Sequence, residues 1–194
     1  MSSFFAMLSR IKYINRWGLM RSARVESLSE HSLETAVIAH ALVAIGTEKF
    51  NCNLSPETAA VIGMYHDASE IITGDLPTPI KYKNEKIITA YKEIEKEAEK
   101  KLLSLLPSYM MPHYKKYFLY EEYFPQYKPY IKAADKISAV IKCIEEEKSG
   151  NMEFSNAMKV LLKHESLELP EAKVFLSEYL PAYMKTLDDI WDED

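Results

Sequence analysis

His66 and Asp67 stand side by side near the end of an apolar helical pattern, and Glu70 follows four positions after the histidine. Around an ideal helix four positions amount to about 40°, so His66, Asp67 and Glu70 can share one wall of a site. Asp75 comes next, in a stretch stiffened by glycine and proline. One imidazole and three carboxylates this close together can supply ligands for a divalent ion and a base for its water. A solvated helix end with scattered acids would show the same local pattern. Asp135 adds weight to the metal reading. It shares a helical face with Ile131, Ala134, Ser138 and Ile141, where a carboxylate is costly unless it is paired or metal-bound. A buried salt bridge to a nearby Lys or Arg would serve equally well there.

The other histidines divide by geometry. His31 and His40, nine positions apart at about 100° each, face opposite ways from a straight helix and cannot hold one ion together. His40 falls with Leu33, Val37, Ala41 and Ala44 and is expected to be a hydrogen-bonded core histidine. His31 lies in the first helical turn beside Glu30, where access to a pocket is easier. His113 and His164 have no evident partners and are expected at the surface. Arg16-Trp17 closes the first segment. A guanidinium fork next to an indole suits a phosphate and a sugar or base face, although a helix-end Arg with a packing Trp also accounts for the pair. Lys81 and Arg21 are weaker candidates for phosphate contact. The chain lacks a Walker loop, a Gly-x-Gly-x-x-Gly and a Gly-x-Ser-x-Gly elbow, which sets aside those nucleotide and acyl-transfer chemistries.

Helices must position these groups, because helical periodicity dominates nearly everywhere. Phe4, Phe5, Leu8, Ile11 and Ile14 predict a helix over 2–14. Ser27 with Glu30 is a capping-box pattern that opens a helix running to about 50. Ser55-Pro56 starts another, expected to end near 72. Residues 73–79 carry two prolines and a glycine and are expected to form an ordered loop, not helix. A Lys/Glu-rich amphipathic helix follows over 85–106, its charges expected to be solvated. Residues 107–125 look aromatic and irregular. A strong helix spans 129–148, closed by Gly150. Helical segments cover 153–166 and 170–190, and the acidic end 192–194 is expected to fray. No segment predicts a confident strand. The fold class is all-α, a globular helical array.

The chain has 194 residues, 47% hydrophobic and 27% charged, which points to one globular domain over 1–194. No apolar run approaches membrane-span length, and the N-terminus has no signal-peptide pattern, so a cytoplasmic protein is expected. The net charge of −5 argues against a binder of polymeric nucleic acid but leaves room for a small phosphorylated substrate. Cys52 and Cys143 form no Cys-x-x-Cys pair and are expected to be small core residues.

The order His31, His66-Asp67, Asp135 on a helical chain resembles the HD superfamily of metal-dependent phosphohydrolases. Longer stretches resemble the bacterial HD-domain 5′-deoxynucleotidases: Asn-Arg-Trp-Gly-Leu-Met-Arg (15–21), Ser-Glu-His-Ser-Leu (29–33), Met-Tyr-His-Asp-Ala-Ser-Glu (64–70) and Thr-Gly-Asp-Leu-Pro-Thr-Pro-Ile-Lys-Tyr (73–82). The similarity also covers Lys-Ala-Ala-Asp (132–135) and Lys-Cys-Ile-Glu-Glu (142–146), spans about 3–160, and fades towards the C-terminus. It implies hydrolysis of deoxyribonucleoside 5′-monophosphates to deoxyribonucleoside and phosphate. It implies one divalent ion on His31, His66, Asp67 and Asp135, with Glu70 and Asp75 as catalytic acids. Arg16 and Trp17 would contact the nucleotide and favour deoxyribose. His31, Asp67, Asp135 and the loop Asp75, Leu76, Pro77 and Thr78 would also border the substrate. Cobalt is implied as effective in vitro, with Mn, Fe, Zn or Ni compatible with the ligand types. The family is typically homodimeric. A dNTP triphosphohydrolase, a cyclic-nucleotide phosphodiesterase, a guanosine tetraphosphate hydrolase or a non-catalytic HD scaffold are the alternatives.

Overall fold

Ser27 accepts a hydrogen bond from the Glu30 amide while Glu30 reaches back to the Ser27 amide, and this capping box launches the longest helix, α2 (Leu28–Phe50). In the computed structural model, which describes residues 1–81 and 83–191, this helix is the spine of the molecule. The other α-helices among the described residues are α1 (Phe4–Leu8), α3 (Pro56–Tyr65), α4 (Glu70–Thr73), α5 (Thr78–Lys81), α6 (Glu85–Ser104), α7 (Met111–Phe118), α8 (Tyr120–Tyr123), α9 (Lys128–Lys148), α10 (Ser155–Leu161), α11 (Pro170–Glu178) and α12 (Leu187–Trp191). Among the described residues there is no strand, only an isolated bridge between Asn15 and Ser27. The all-α expectation holds. The acidic end 192–194 lies outside the described residues.

The main core joins Ile38 and Leu42 of α2, Ile62 of α3, Ile131, Ile137 and Ile141 of α9, and Phe175 of α11. A second cluster packs Phe4 against Leu102, Leu103, Ala68 and Phe118. Phe4 thereby anchors the short α1 to α6 and α7, its ring 5.1 Å from that of Tyr114. Cys143 is buried, and Cys52 is half-buried with its thiol 3.4 Å from the Tyr130 hydroxyl. Burial pushes the Cys143 thiol up to about 12, so it stays protonated and inert.

α2 and α3 touch at Gly63. A Cβ there would lie 2.7 Å from the Ala36 Cα and 2.9 Å from its nitrogen. Both obstacles are backbone, so neither can swing away. Gly63→Ala is expected to force α3 off α2 and cost about 1–3 kcal/mol or more, read as a lower midpoint in thermal or urea unfolding.

Several local expectations are corrected. The face of α2 with Leu33, Val37 and His40 points outward, and Leu28, His31, Thr35, Ile38, Ala39, Leu42 and Val43 face inward. An inward stripe built of His, Ser and Thr among small apolar residues does not score as apolar, so the outer Leu and Val mislead. The helix expected over 55–72 breaks after Tyr65 and resumes at Glu70. Residues 73–79 are not free of helix: α4 ends on Thr73, and Thr78 opens the one-turn α5. The segment 107–125 contains α7 and α8, with Pro112 tolerated in the first turn of α7. The helix expected over 2–14 is α1 followed by a 3₁₀ turn at Ser9–Tyr13. The two C-terminal segments likewise alternate α with 3₁₀ turns at Met152–Phe154, Glu165–Glu168 and Leu180–Met184.

Candidate active site

The break after Tyr65 shapes the site. Between 65 and 72 the backbone bonds shorten to three-residue spacing, Ala68 to Tyr65, Glu70 to Asp67 and Ile72 to Ser69. In such tight winding residues three apart eclipse each other. Asp67 and Glu70 therefore come to one side, where the Asp67 charge acts on Glu70. Asp67 Oδ2 lies 3.1 Å from His66 Nε2 and 3.5 Å from His31 Nε2. Donor atoms of His31, His66 and Asp67 all fall within 4.8 Å of one another. Asp135, arriving on α9, stands beside this triad with Oδ1 3.2 Å from His31 Nε2. Its Oδ2 accepts from Lys136 Nζ at 2.9 Å.

Both imidazoles are aimed by their outer nitrogens. His66 Nδ1 donates to the Gly63 carbonyl at 2.8 Å. That turns Nε2 into the site, and this buried atom makes no well-aligned hydrogen bond although Asp67 lies close by. The Ser138 hydroxyl donates to Glu34 Oε2 at 2.6 Å and therefore accepts from His31 Nδ1 at 3.0 Å. Glu34, Ser138 and His31 form a relay that again points Nε2 inward, towards Asp135 and Asp67. Outer partners of this kind fix the tautomer of metal-binding histidines. Two imidazole nitrogens and one or two carboxylates are a donor set that suits a first-row divalent ion, so the residues present fit one. Ser138→Ala is expected to weaken zinc or cobalt binding about 10- to 100-fold by titration calorimetry, with little loss of fold.

Electrostatics sort the carboxylates. Burial alone would raise Asp67, but His66 and His31 hold it well below the usual range. Asp135 is likewise held down, by the His31 bond and the Lys136 charge against the effect of burial. Burial, then the charges of Asp67 and Asp75, push Glu70 up to about 9. Burial also raises Asp75, with Arg16 pulling the other way. Two groups are thus driven towards the ionised form and two towards the protonated form within one small site.

The loop that carries Asp75 is built for rigidity. Gly74, at φ +73°, makes the turn out of α4, and its amide donates to the Glu70 carbonyl at 2.8 Å. Tyr91 of α6 donates to the Gly74 carbonyl at 3.3 Å. Leu76 and Pro77 are half-buried and Thr78 is exposed. Lys81 of α5 lies 3.9 Å from Glu70 and 2.9 Å from Glu95 of α6. The charges of α6 are therefore not all a solvated face.

Arg16 and Trp17 enter from the other end of the chain. Arg16 Nη2 is 3.9 Å from Asp135 Oδ1. Trp17 has φ +61°, an unusual conformation for so bulky a residue, costing about 1–3 kcal/mol unless its surroundings enforce it. Its indole N–H donates to Glu26 at 2.8 Å, and its ring meets Phe154 edge-on at 5.2 Å. Beyond it, the buried Glu146 accepts from the Ala23 and Arg24 amides, Lys142 donates to the Arg24 carbonyl, and Asn151 donates to the Arg21 carbonyl. Arg21 itself is exposed and contributes its backbone to these contacts.

The histidine expectations change accordingly. His40 is exposed, not a core residue. His31 is fully buried instead of lying at an open first turn. His113 is exposed as expected, whereas His164 caps a 3₁₀ turn by accepting from the Ser166 amide. Glu26, Glu34 and Ser138 were not singled out, although Glu34 sits three residues after His31 and Ser138 three after Asp135, on the faces those residues share. A cleft of about 430 Å³ borders His66 on the α6–α8 side. It is lined by Glu95, Glu99, Glu121 and Glu122 against Lys92 and Lys96, an arrangement unfavourable for a phosphate.

Comparison with known proteins agrees with this geometry. The family model described as 5′-deoxynucleotidase YfbR-like matches residues 3–183, extending past the similarity expected over about 3–160. A 5′-deoxynucleotidase of Yersinia pestis (strain Pestoides F) is 48% identical over 191 residues, covering 98% of this chain and 97% of that protein. One from Yersinia pseudotuberculosis serotype O:3 (strain YPIII) matches to the same extent. An HD-domain phosphohydrolase from Listeria innocua superposes with a TM-score of 0.79 at 24% identity, over 94% of this chain and 88% of that one. A cyanophage S-2L HD phosphohydrolase, solved with dA and one catalytic Zn²⁺, superposes at 0.60 and 18% identity, over 93% of this chain and 96% of that one. With its paired histidines and aspartates on this helical frame, the chain belongs to the YfbR-like 5′-deoxynucleotidase family.

Proposed function

We propose that the protein hydrolyses deoxyribonucleoside 5′-monophosphates to deoxyribonucleoside and phosphate, using one divalent ion held by His31, His66, Asp67 and Asp135. The observation that carries this reading is the buried, partnerless His66 Nε2, turned towards Asp67 and beside His31. A bound ion supplies charge neutralisation at the phosphate and a lowered pKa for water. Arg16, next to Asp135, binds the phosphate and stabilises charge that grows at its oxygens in the transition state. Glu70 and Asp75, the latter on its rigid loop, share the proton work, one taking the proton of the attacking water and the other supplying one to the departing 5′ oxygen. Lys81, 3.9 Å from Glu70, helps hold it in place. Leu76, Pro77 and Thr78 border the nucleoside, and Trp17 covers its sugar.

A homodimer acting in the cytoplasm, with cobalt effective in vitro, belongs to the same reading. Among the described residues no helix is long and apolar enough to cross a membrane. Phosphate release from chelator-stripped protein tests the proposal, with deoxy- and ribonucleoside 5′-monophosphates, dATP and 3′-dAMP, each with and without Co, Mn, Mg and Zn. Metal-dependent release from the 5′-deoxy substrates alone is the expected result. Triphosphate release from dATP, or no release with any metal, would reject it.

A further inference from the structure

The acid that touches both nucleotide-facing residues is Glu26, immediately before the capping box of α2. Its Oε2 accepts from Arg16 Nη1 at 3.1 Å and from Trp17 Nε1 at 2.8 Å, and its backbone carbonyl accepts the Arg16 amide at 2.9 Å. The carboxylate is buried, only 8% of the residue being exposed. We propose that Glu26 is a positioning residue that sets the preference for deoxyribose, by occupying the indole N–H of Trp17 and fixing Arg16 beside Asp135. The inference rests on the nucleotidase reading above.

The physical reasoning concerns the single polar atom of the indole. An indole has one N–H and no other polar atom. With that N–H spent on Glu26, Trp17 offers a sugar only apolar surface. A 2′-hydroxyl buried against it finds no partner, and a polar group desolvated without compensation is penalised. The same carboxylate holds Trp17 at φ +61°, a backbone conformation that a free chain would leave. Phe154, edge-on at 5.2 Å, packs against the ring as well. Glu26 also neutralises Arg16 in part, so the guanidinium is directed to Asp135 and the phosphate and not outward. One carboxylate thus couples the group that holds the phosphate to the group that faces the sugar.

The test compares wild type, Glu26→Gln and Glu26→Ala as metal-loaded enzymes on dAMP and AMP. Glutamine keeps the volume but has one acceptor oxygen and brings an NH₂ towards Arg16 or Trp17. Alanine frees the indole N–H altogether. The ratio of kcat/KM for dAMP over AMP is expected to fall about 10-fold in either variant, with KM for dAMP rising as Arg16 loosens. A merely structural role would lower both substrates together and leave the ratio unchanged. A second readout needs no turnover. The chain has two tryptophans, and Trp191 is exposed, so Trp191→Phe leaves Trp17 as the only fluorophore of its kind. In that background Glu26→Gln is expected to lower Trp17 anisotropy. Wild-type hydrolysis of dAMP with an unaltered ratio in Glu26→Gln would overturn the inference while keeping the nucleotidase reading. A wild type inactive on every nucleotide would overturn that reading instead, and unchanged anisotropy would then show that Glu26 does not hold Trp17.

Discussion

Asp67→Asn is expected to lower metal-dependent phosphate release by about a thousandfold or more, since the charge stabilisation that a bound ion provides is worth several kcal/mol at about 1.4 kcal/mol per tenfold. Asp67 Oδ2 is the atom that approaches both His66 Nε2 and His31 Nε2, at 3.1 and 3.5 Å. Asparagine keeps the shape and removes the anion. It also turns one oxygen into an NH₂, a donor that no cation can use. Metal content by mass spectrometry and phosphate release, measured on one preparation, separate loss of ion from loss of chemistry. An asparagine variant that keeps its metal and works within tenfold of wild type would show that the ion sits elsewhere.

Glu70→Gln is expected to lower kcat by about 10²- to 10⁴-fold, the usual worth of a positioned acid or base, with a smaller change in KM. The same substitution should raise the stability of the metal-free protein. Burial and the Asp67 and Asp75 charges lift Glu70 to about 9 from an ordinary 4.5. Folding therefore takes up a proton at this residue whenever the pH lies between those values, and the native state loses stability as pH rises through that window. Glutamine carries no ionisation and removes the loss. Thermal unfolding of both proteins in chelator should show little difference near pH 4 and a clear advantage for the variant at pH 8. Equal midpoints at pH 8 would mean that Glu70 ionises without penalty, and undiminished turnover would remove it from the chemistry.

That pairing of lost activity with gained stability explains why the sequence was legible here. Asp135 stands out because a carboxylate on an apolar helical face conflicts with burial, and His66-Asp67 with Glu70 because ligand-type residues cluster within one helical turn. The capping box of α2 and the proline start of α3 were equally legible, because they depend on side chains within four residues of each other. The tightening after Tyr65 was not, because nothing in Ala68-Ser69 forbids an α-helix. Tertiary contacts select it there, with Ala68 buried against Phe118 and Leu102. The inward face of α2 was misjudged because His31 and Thr35 serve the site while Leu33 and Val37 face outward. Glu26 had no local signature at all. Its importance comes from the left-handed turn at Trp17, which returns the indole to a residue nine positions on.

α9 carries Asp135 at its middle, and Lys142 and Glu146 further on, where they grip the backbone at 23–24. At about 1.5 Å per residue, Asp135 and Glu146 are separated by roughly 16 Å along a stiff rod. The segment holding Trp17 is tied to that rod on both sides, by Arg16 beside Asp135 and by the backbone at 23–24 held at Glu146. The indole is consequently kept in register with Asp135 by a helix, not by a flexible connection.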